Sequence, residues 1–373
     1  MGWSTRPRAG IRALTGLATA ALLGALSVTI APAAFADKQE GVGFAVTPGQ
    51  PFANHTPDRN WLGSYVVGGK QVFCVRFAFL APDSDELYQP GAPLKTKWDT
   101  DLPADVAADI SYLLLRYGDT KSPDQAAAVA HLLHTWTASP QSPAQLDPAN
   151  DFRHIAYDSD AHLKLLPASA QAAVQKLTAD AAANRGPWTA SVTAPTTPQT
   201  IGVTADWQIS VKNAAGKGVP DVPVTVNVID ATFPDASGKP VNTGTVTTTA
   251  TDPLVLKVTP TGAAPKIDIT LASPAQVPVV QQAVQVDTQR IVSTGGEKQL
   301  TQSAATTASP PPTTTTPPQV PSAIPAGGSP DAPVAQAAMD FQLSGGAIAG
   351  ILGVLVLGAL LMWQLVLRKR ERV

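Results

Sequence analysis

An uncharged stretch of 23 residues, Gly345 to Leu367, constrains this chain more than any other feature. At about 1.5 Å per residue in an α-helix, it is long enough to cross the hydrocarbon core of a bilayer. Basic residues follow it directly, and such residues stay on the cytoplasmic side of a membrane. The sequence therefore predicts a single-pass protein of the cell membrane, with an extracellular N-terminus and a six-residue cytoplasmic tail at 368–373.

The N-terminus predicts a cleaved secretory signal peptide. Arginines within the first twelve residues precede an apolar, Ala- and Leu-rich stretch at 14–30. The tripeptide Ala34-Phe35-Ala36 then matches the A-x-A pattern of a cleavage site. The mature chain is expected to begin at Asp37.

Gly346 and Gly350 form a G-x-x-x-G pattern within the predicted span. Such a pattern permits close approach of two membrane helices and would support a dimer. Glycine is also common in membrane helices in general, and this second interpretation is favoured.

The net charge of −2 hides an asymmetry along the chain. Removing the +3 of the signal peptide and the +3 of the tail leaves −8 for the ectodomain. That balance argues against nucleic acid or anionic lipid as its partner and suits a solvated surface protein. The expected partner is an unknown cell-envelope or host-surface ligand. Cys74 is the only cysteine, so no disulfide can form within the chain. No cofactor and no metal site are predicted.

Composition changes along the ectodomain predict a multidomain protein. Aromatic residues concentrate in the first part, Val and Thr in the second, and Pro, Thr and Ser in the third, which cannot bury a core. The predicted boundaries are a signal peptide at 1–36, an α+β domain at 37–186, an immunoglobulin-like β-sandwich at 187–288, a disordered Pro/Thr-rich stalk at 289–344, a transmembrane helix at 345–367 and a cytoplasmic tail at 368–373.

The first domain begins with strands. Residues 63–67 and 71–80 alternate in polarity around a Gly-Gly turn and predict a hairpin. Because side chains alternate between the faces of a strand, Phe73 and its aromatic neighbours should face the core, and Cys74 the other side.

Helices follow the hairpin. Residues 104–117 carry apolar side chains at helical spacing. Ser122, Pro123 and Gln125 predict the capped start of a second helix, with a capping box between Ser122 and Gln125. Residues 168–185 predict a third helix.

The second domain predicts an all-β sandwich. Six short strands at 188–193, 205–212, 222–228, 245–251, 254–258 and 267–271 are separated by turns. The stretch from Lys212 to Val224 resembles the turn-and-strand pattern of bacterial Ig-like repeats, which implies a spacer rather than an active site.

The strand Val72-Phe73-Cys74-Val75, followed by Ala-rich helices, resembles the thioester domains of Gram-positive surface adhesins over residues 60–138. The resemblance implies an acyl-thioester between a strand cysteine and a helix glutamine, in which thiolate is the leaving group.

In this chain, the Ala-rich helix departs from the sequence pattern of that family. Its glutamine position falls on Ala130 and the following aromatic position on His134, while the nearby Gln125 lies about one turn earlier. The favoured interpretation is thus a degenerate domain of this type in which Cys74 is a free thiol.

His131 and His134 lie three residues apart on one helix and suggest a second chemistry. With Cys74 they could form a Cys-His enzyme site, oriented by Asp109 or Asp124. They could also bind a metal, although no neighbouring residue completes a ligand set. Packing inside the domain is the favoured interpretation.

The arrangement of head, spacer, stalk and membrane anchor predicts a cell-surface binding or adhesion protein. A covalent thioester adhesin using Cys74 and an envelope enzyme with a Cys-His site are the alternatives, and an enzyme is not favoured. The Ala, Pro, Thr and Arg content is typical of an actinobacterial protein.

Overall fold

The computed structural model describes residues 39–82, 86–249, 252–285 and 287–313. The described residues up to Pro312 belong to one compact unit, and a second unit begins at Thr313. No helix within the described ranges is long and apolar enough to cross a membrane. The predicted signal peptide and transmembrane helix, with Gly346 and Gly350, lie outside the described residues.

The described chain is mostly β-sheet with few helices. Its helices are α1 (Ala104–Tyr117), α2 (Pro123–Ala138), α3 (Ser159–Leu165) and α4 (Ala168–Asn184), with one 3₁₀ turn at Pro143–Leu146. Its strands are β1 (Glu40–Val46), β2 (Asn60–Val67), β3 (Lys70–Cys74), β4 (Tyr88–Pro90), β5 (Thr189–Thr193), β6 (Gln199–Thr200), β7 (Ala205–Lys212), β8 (Pro223–Ile229), β9 (Ala231–Pro234), β10 (Pro240–Val241), β11 (Thr243–Thr247), β12 (Leu254–Pro260), β13 (Lys266–Ser273), β14 (Val280–Ala283), β15 (Ile291–Val292), β16 (Lys298–Ala305) and β17 (Ala308–Ser309).

The predicted hairpin forms between β2 and β3, with Tyr65 opposite Val72. Gly68 and Gly69 make the turn with φ of 56° and 74°, a left-handed conformation that glycine adopts without steric cost. The second strand is shorter than predicted and ends at Cys74. The chain turns there, and Ala78 adopts a φ of 67°.

The predicted helix at 104–117 is confirmed with the same bounds. In α2, the Ser122 hydroxyl accepts from the Gln125 backbone N–H at 3.4 Å and Pro123 occupies the first turn. The reciprocal half of the predicted capping box is wrong. The Gln125 side chain instead accepts from the Thr120 hydroxyl at 2.5 Å, and that hydroxyl accepts from the Ser122 N–H at 3.1 Å.

Helix α2 lies at the centre of the first domain. Every residue from Ala126 to His134 is buried, so the helix is enclosed on all sides, as expected for a core helix. It contacts α4 and strands β1 and β2. Phe73 and Val75 belong to the same core cluster as α2, and we call their side of the sheet the inner face.

The sheet of the first domain is completed by strands that follow the second domain in sequence. Its order is β1-β2-β3-β15-β14-β4, and Ile291 of β15 pairs with Cys74 of β3. The chain thus leaves the first domain after α4 and returns at β14. The predicted boundaries at 187–288 and 289–344 missed this return, because they assumed that each domain is one continuous segment.

The second domain has two larger sheets, with the orders β10-β9-β12-β7-β5 and β11-β8-β13-β16, and a parallel pair β17-β6. In β8 each second residue is buried, as in a sheet with one covered face. Val226 of that strand and Trp207 of the other sheet join one apolar core. Strand β16 occupies residues that the sequence assigned to the stalk. The assignment of this second domain to the immunoglobulin-like fold stays a prediction.

The returning strands generate a testable prediction. A fragment of residues 37–186 lacks β14 and β15, so the outward edge of β3 is unpaired and Cys74 loses its partner Ile291. We expect this fragment to lack the cooperative unfolding transition and near-ultraviolet circular dichroism of a matched fragment of residues 37–312. A fragment 37–186 with a sharp transition of its own would contradict this topology.

Candidate functional site

Cys74 lies at the end of β3 on the outer face of the sheet. Its side chain is 3% exposed and packs in a small apolar cluster with Tyr65, Val72 and Ile291. The predicted separation of Phe73 and Cys74 onto opposite faces is thus confirmed. Burial raises the pKa of the Cys74 thiol, so it is protonated at neutral pH and a weak nucleophile.

The structure does not place Gln125 next to Cys74. Gln71, near the start of β3, donates to the Thr120 carbonyl at 3.1 Å, and Thr120 in turn binds Gln125. Gln125 therefore lies beside the start of β3. Cys74 is three residues further on, about 10 Å along an extended strand, and faces the other way.

Gln289 is a glutamine that the sequence analysis missed. It lies two residues before Ile291, so it shares the outer face with Cys74 across the β3–β15 pair. Its side-chain Oε1 accepts from the Arg76 backbone N–H at 3.1 Å. A separation of more than 200 residues from Cys74 left no local signal for this neighbour.

His131 and His134 lie on the inner side, in a buried cluster with Phe77, Tyr157 and His162. His131 Nδ1 is 2.9 Å from the Tyr157 hydroxyl, and the rings of Tyr157 and His162 stack at 4.3 Å. His162 is fixed at both nitrogens, 2.8 Å from the Asp158 carbonyl and 3.0 Å from Asn60 Oδ1. We call these five residues the histidine cluster.

Within the described residues, Cys74 and the histidines do not form the predicted Cys-His site. The histidines and Cys74 lie on opposite faces of one sheet. Asp109 binds Arg185 at 3.1 Å and Asp124 accepts from the Ser169 hydroxyl at 2.9 Å, so neither orients a histidine. No group of three ligands suited to a metal occurs within the described part of the chain.

Burial keeps the histidine cluster uncharged. Desolvation, followed by the field of His162, lowers the pKa of His131 to about 4 and that of His134 to about 3. Desolvation also lowers the pKa of His162. All three imidazoles are therefore neutral at physiological pH.

A buried lysine holds the wall of the site. Lys97 is 6% exposed, and its Nζ donates to the carbonyls of Phe77 at 2.8 Å, Phe152 at 2.8 Å and Ile155 at 2.5 Å. Burial and then the nearby Arg76 charge lower its pKa to about 7. Three carbonyl acceptors require the three N–H donors of an ammonium, so this geometry favours the charged form of Lys97 against the effect of burial.

A cleft of about 660 Å³ opens beside this wall, and we call it the aromatic cleft. The cleft lies at the start of β2, and residues of the turn after β3 form part of its lining. Its polar part includes an ion pair of Arg59 with Glu40 at 2.9 Å. Its lining residues are Glu40, Phe52, Pro57, Arg59, Asn60, Trp61, Leu62, Tyr65, Phe77, Ala78, Phe79, Leu80, Ala81, His134 and Gln289.

The aromatic cleft is concave and lined by aromatic rings, and its exposed lining is more polar than apolar. Within the described residues, His134 is the sequence-predicted site residue that lines it, whereas Cys74, Gln125 and His131 do not. Trp61, Phe79 and Gln289 were missed, because they converge from β2, the turn after β3 and the residues just before β15.

Comparisons with known proteins find only weak structural likenesses. No family model and no curated protein matches the chain. Among solved structures, it is similar to the thioester domain of the Enterococcus faecium TIE86 protein, at 12% identity over 72% of this chain and 95% of that chain, with a TM-score of 0.31. The thioester domain of the Staphylococcus aureus TIE protein matches at 12% identity over 74% and 99%, with the same TM-score.

The Bacillus anthracis TIE protein is similar at 9% identity and a TM-score of 0.31, and the match covers 72% of this chain and 47% of that one. These neighbours are thioester domains and proteins of Gram-positive surfaces. At such scores the likeness carries no argument.

The histidine cluster predicts acid sensitivity. An unfolded histidine titrates near 6.5, whereas folded His131 and His134 titrate near 4 and 3. Between these values the unfolded state binds more protons, so the free energy of unfolding falls as pH falls from about 6.5 to about 4. Urea unfolding at both ends of this window measures the loss.

A His131→Gln variant should lose less stability over this window than the wild type, because one titrating group is gone. The matched control is His55→Gln, which replaces an exposed histidine and should follow the wild type. Equal pH dependence of the His131→Gln and wild-type proteins would contradict the assignment.

Proposed function

We propose that this is a membrane-anchored cell-surface binding protein whose first domain holds its ligand reversibly in the aromatic cleft. The sequence supports the placement: a signal peptide, a stalk and a transmembrane helix carry the folded part outward. The single observation that carries the proposal is the cleft itself, with its aromatic walls and convergent polar groups.

Reversible binding is favoured over covalent attachment by the surroundings of Cys74. The thiol is 3% exposed and its pKa is raised by burial. Gln125 is bound to Thr120 at the other end of the strand, and the side-chain oxygen of Gln289 accepts from the Arg76 backbone N–H. A reactive cysteine needs a lowered pKa and access for its partner. Neither feature occurs here.

Binding is also favoured over catalysis. The histidines lie on the inner face, too far from the outer-face thiol of Cys74 to take its proton. Within the described residues, His131 and His162 are committed to Tyr157 and Asn60. The site therefore offers contacts to a ligand but no nucleophile with an adjacent base.

Leu80 offers a direct test of the cleft. Its side chain is 61% exposed and lines the cleft, while its backbone is bonded to Asp287 and Gln289. Beads coated with the full chain in detergent would be layered on isolated Gram-positive cell envelopes and on epithelial cells. We expect adhesion to at least one surface, lowered about tenfold or more by Leu80→Arg, since a charge in the cleft must be desolvated by the ligand.

The matched control is Leu165→Arg, at a leucine that is 42% exposed and does not line the cleft. It should adhere as the wild type does. Excess soluble protein should release the beads, because the attachment is non-covalent. Absence of adhesion on both surfaces, or full adhesion by the Leu80→Arg variant, would contradict the proposed function.

A further inference from the structure

His134 differs from the other buried histidines of its cluster. Its side chain is 5% exposed and lines the aromatic cleft, yet its Nδ1 is buried with no hydrogen-bond partner in the described structure. Its neighbours are the rings of Phe77 and Tyr157, at 5.9 and 5.3 Å. An unpaired buried polar atom destabilises a fold, and this one is closed off from solvent, so a ligand hydroxyl supplies the missing bond only once the ring turns or its neighbours move.

The hydrogen-bonding capacity of His134 limits what that ligand can be. A neutral imidazole has one N–H donor and one lone-pair acceptor. Burial lowers the pKa of His134 far below neutrality, so it does not act as a cation toward an anion. A hydroxyl group both donates and accepts, and it matches either nitrogen of this ring.

The charges of the cleft argue against an ionic ligand. Glu40 and Arg59 are the charged residues of its lining, and they neutralise one another at 2.9 Å. A carboxylate or phosphate would have to compete with Glu40 for Arg59, and an ammonium would have to compete with Arg59 for Glu40. An uncharged ligand leaves this pair intact.

The walls of the cleft favour a ligand with a flat apolar face. Phe52 and Trp61 are half-buried residues of this lining, whereas Phe79 packs against Phe152 and has the Arg76 guanidinium 4.7 Å from its ring centroid. The C–H face of a sugar ring packs against an aromatic face while its hydroxyl groups project from the rim. A volume of about 660 Å³ accommodates a short oligosaccharide.

We propose that the aromatic cleft binds an uncharged saccharide, with a sugar ring against Trp61 and a hydroxyl hydrogen-bonded to His134. This inference rests on the proposed function and specifies its ligand class. It further implies that His134 is retained for binding at a cost in stability.

The test uses the full chain in detergent and a set of defined probes. These are neutral tetrasaccharides of glucose, galactose, mannose and N-acetylglucosamine, a polygalacturonate tetramer as the acidic counterpart, and a neutral Gly-Ser peptide of similar size. Saturation-transfer NMR identifies the bound probe, titration calorimetry gives its Kd, and thermal melting reports the fold.

We expect at least one neutral tetrasaccharide to bind. His134→Phe should weaken it about tenfold, the equivalent of one hydrogen bond, without lowering the melting temperature, because Phe fills the same space between apolar rings. His131→Phe is the matched control, one turn earlier on α2 and outside the cleft lining. It should lower the melting temperature, since Tyr157 loses its partner, and change Kd by less than about twofold. Trp61→Leu, which removes a ring, should also weaken binding.

Two results would overturn the inference. One is the absence of binding by every neutral saccharide, and the other is saccharide binding that survives both His134→Phe and Trp61→Leu. Binding of the peptide or the acidic tetramer in the cleft would overturn the ligand class and leave the proposed function standing. Failure of the proposed function appears separately, as adhesion that is insensitive to Leu80→Arg.

Discussion

The buried ammonium of Lys97 is the interaction on which the geometry of the site depends. Its three hydrogen bonds join the turn after β3, through Phe77, to the segment that carries Phe152 and Ile155. Phe77 then packs against both His134 and Tyr157. This one side chain thereby fixes Phe77 in the wall of the aromatic cleft, and Phe77 in turn packs against His134. The contact is anchored in main-chain carbonyls, so its geometry does not rely on the identity of those three residues.

A second constraint follows from the two-residue period of a strand. Phe73 and Cys74 are neighbours in sequence, but one faces α2 and the other faces Tyr65. This alternation separates the thiol from the histidines, and it accounts for a cysteine that is buried without a catalytic partner. The same sheet thus has an inner face that bears the histidine cluster and an outer face that encloses the cysteine. The aromatic cleft lies where β2 begins, and it draws residues from both faces.

Local signals in the sequence were sufficient for much of this fold. Apolar spacing gave the bounds of α1, and the Gly-Gly turn gave the β2–β3 hairpin, because these features depend on nearby residues alone. The return of the chain at β14 and β15 had no such signal, since their partners lie some 200 residues earlier. Lys97 was missed for the same reason, because its three acceptors are main-chain oxygens that no side-chain motif marks. His134 was recognised as a candidate, but its role depends on a cavity that only the packed structure defines.

Reversible binding in the cleft and covalent attachment through Cys74 are separated by the mass of the chain. Intact-mass spectrometry of residues 37–344 before and after methylamine treatment tests that distinction directly. The account predicts the mass expected from the sequence, no change with methylamine, and one thiol that reacts with a thiol reagent only after unfolding. A mass lighter by one ammonia, with methylamine then added to the protein, would reveal a thioester between Cys74 and a glutamine. That result would contradict the central claim and make covalent attachment the function of this domain.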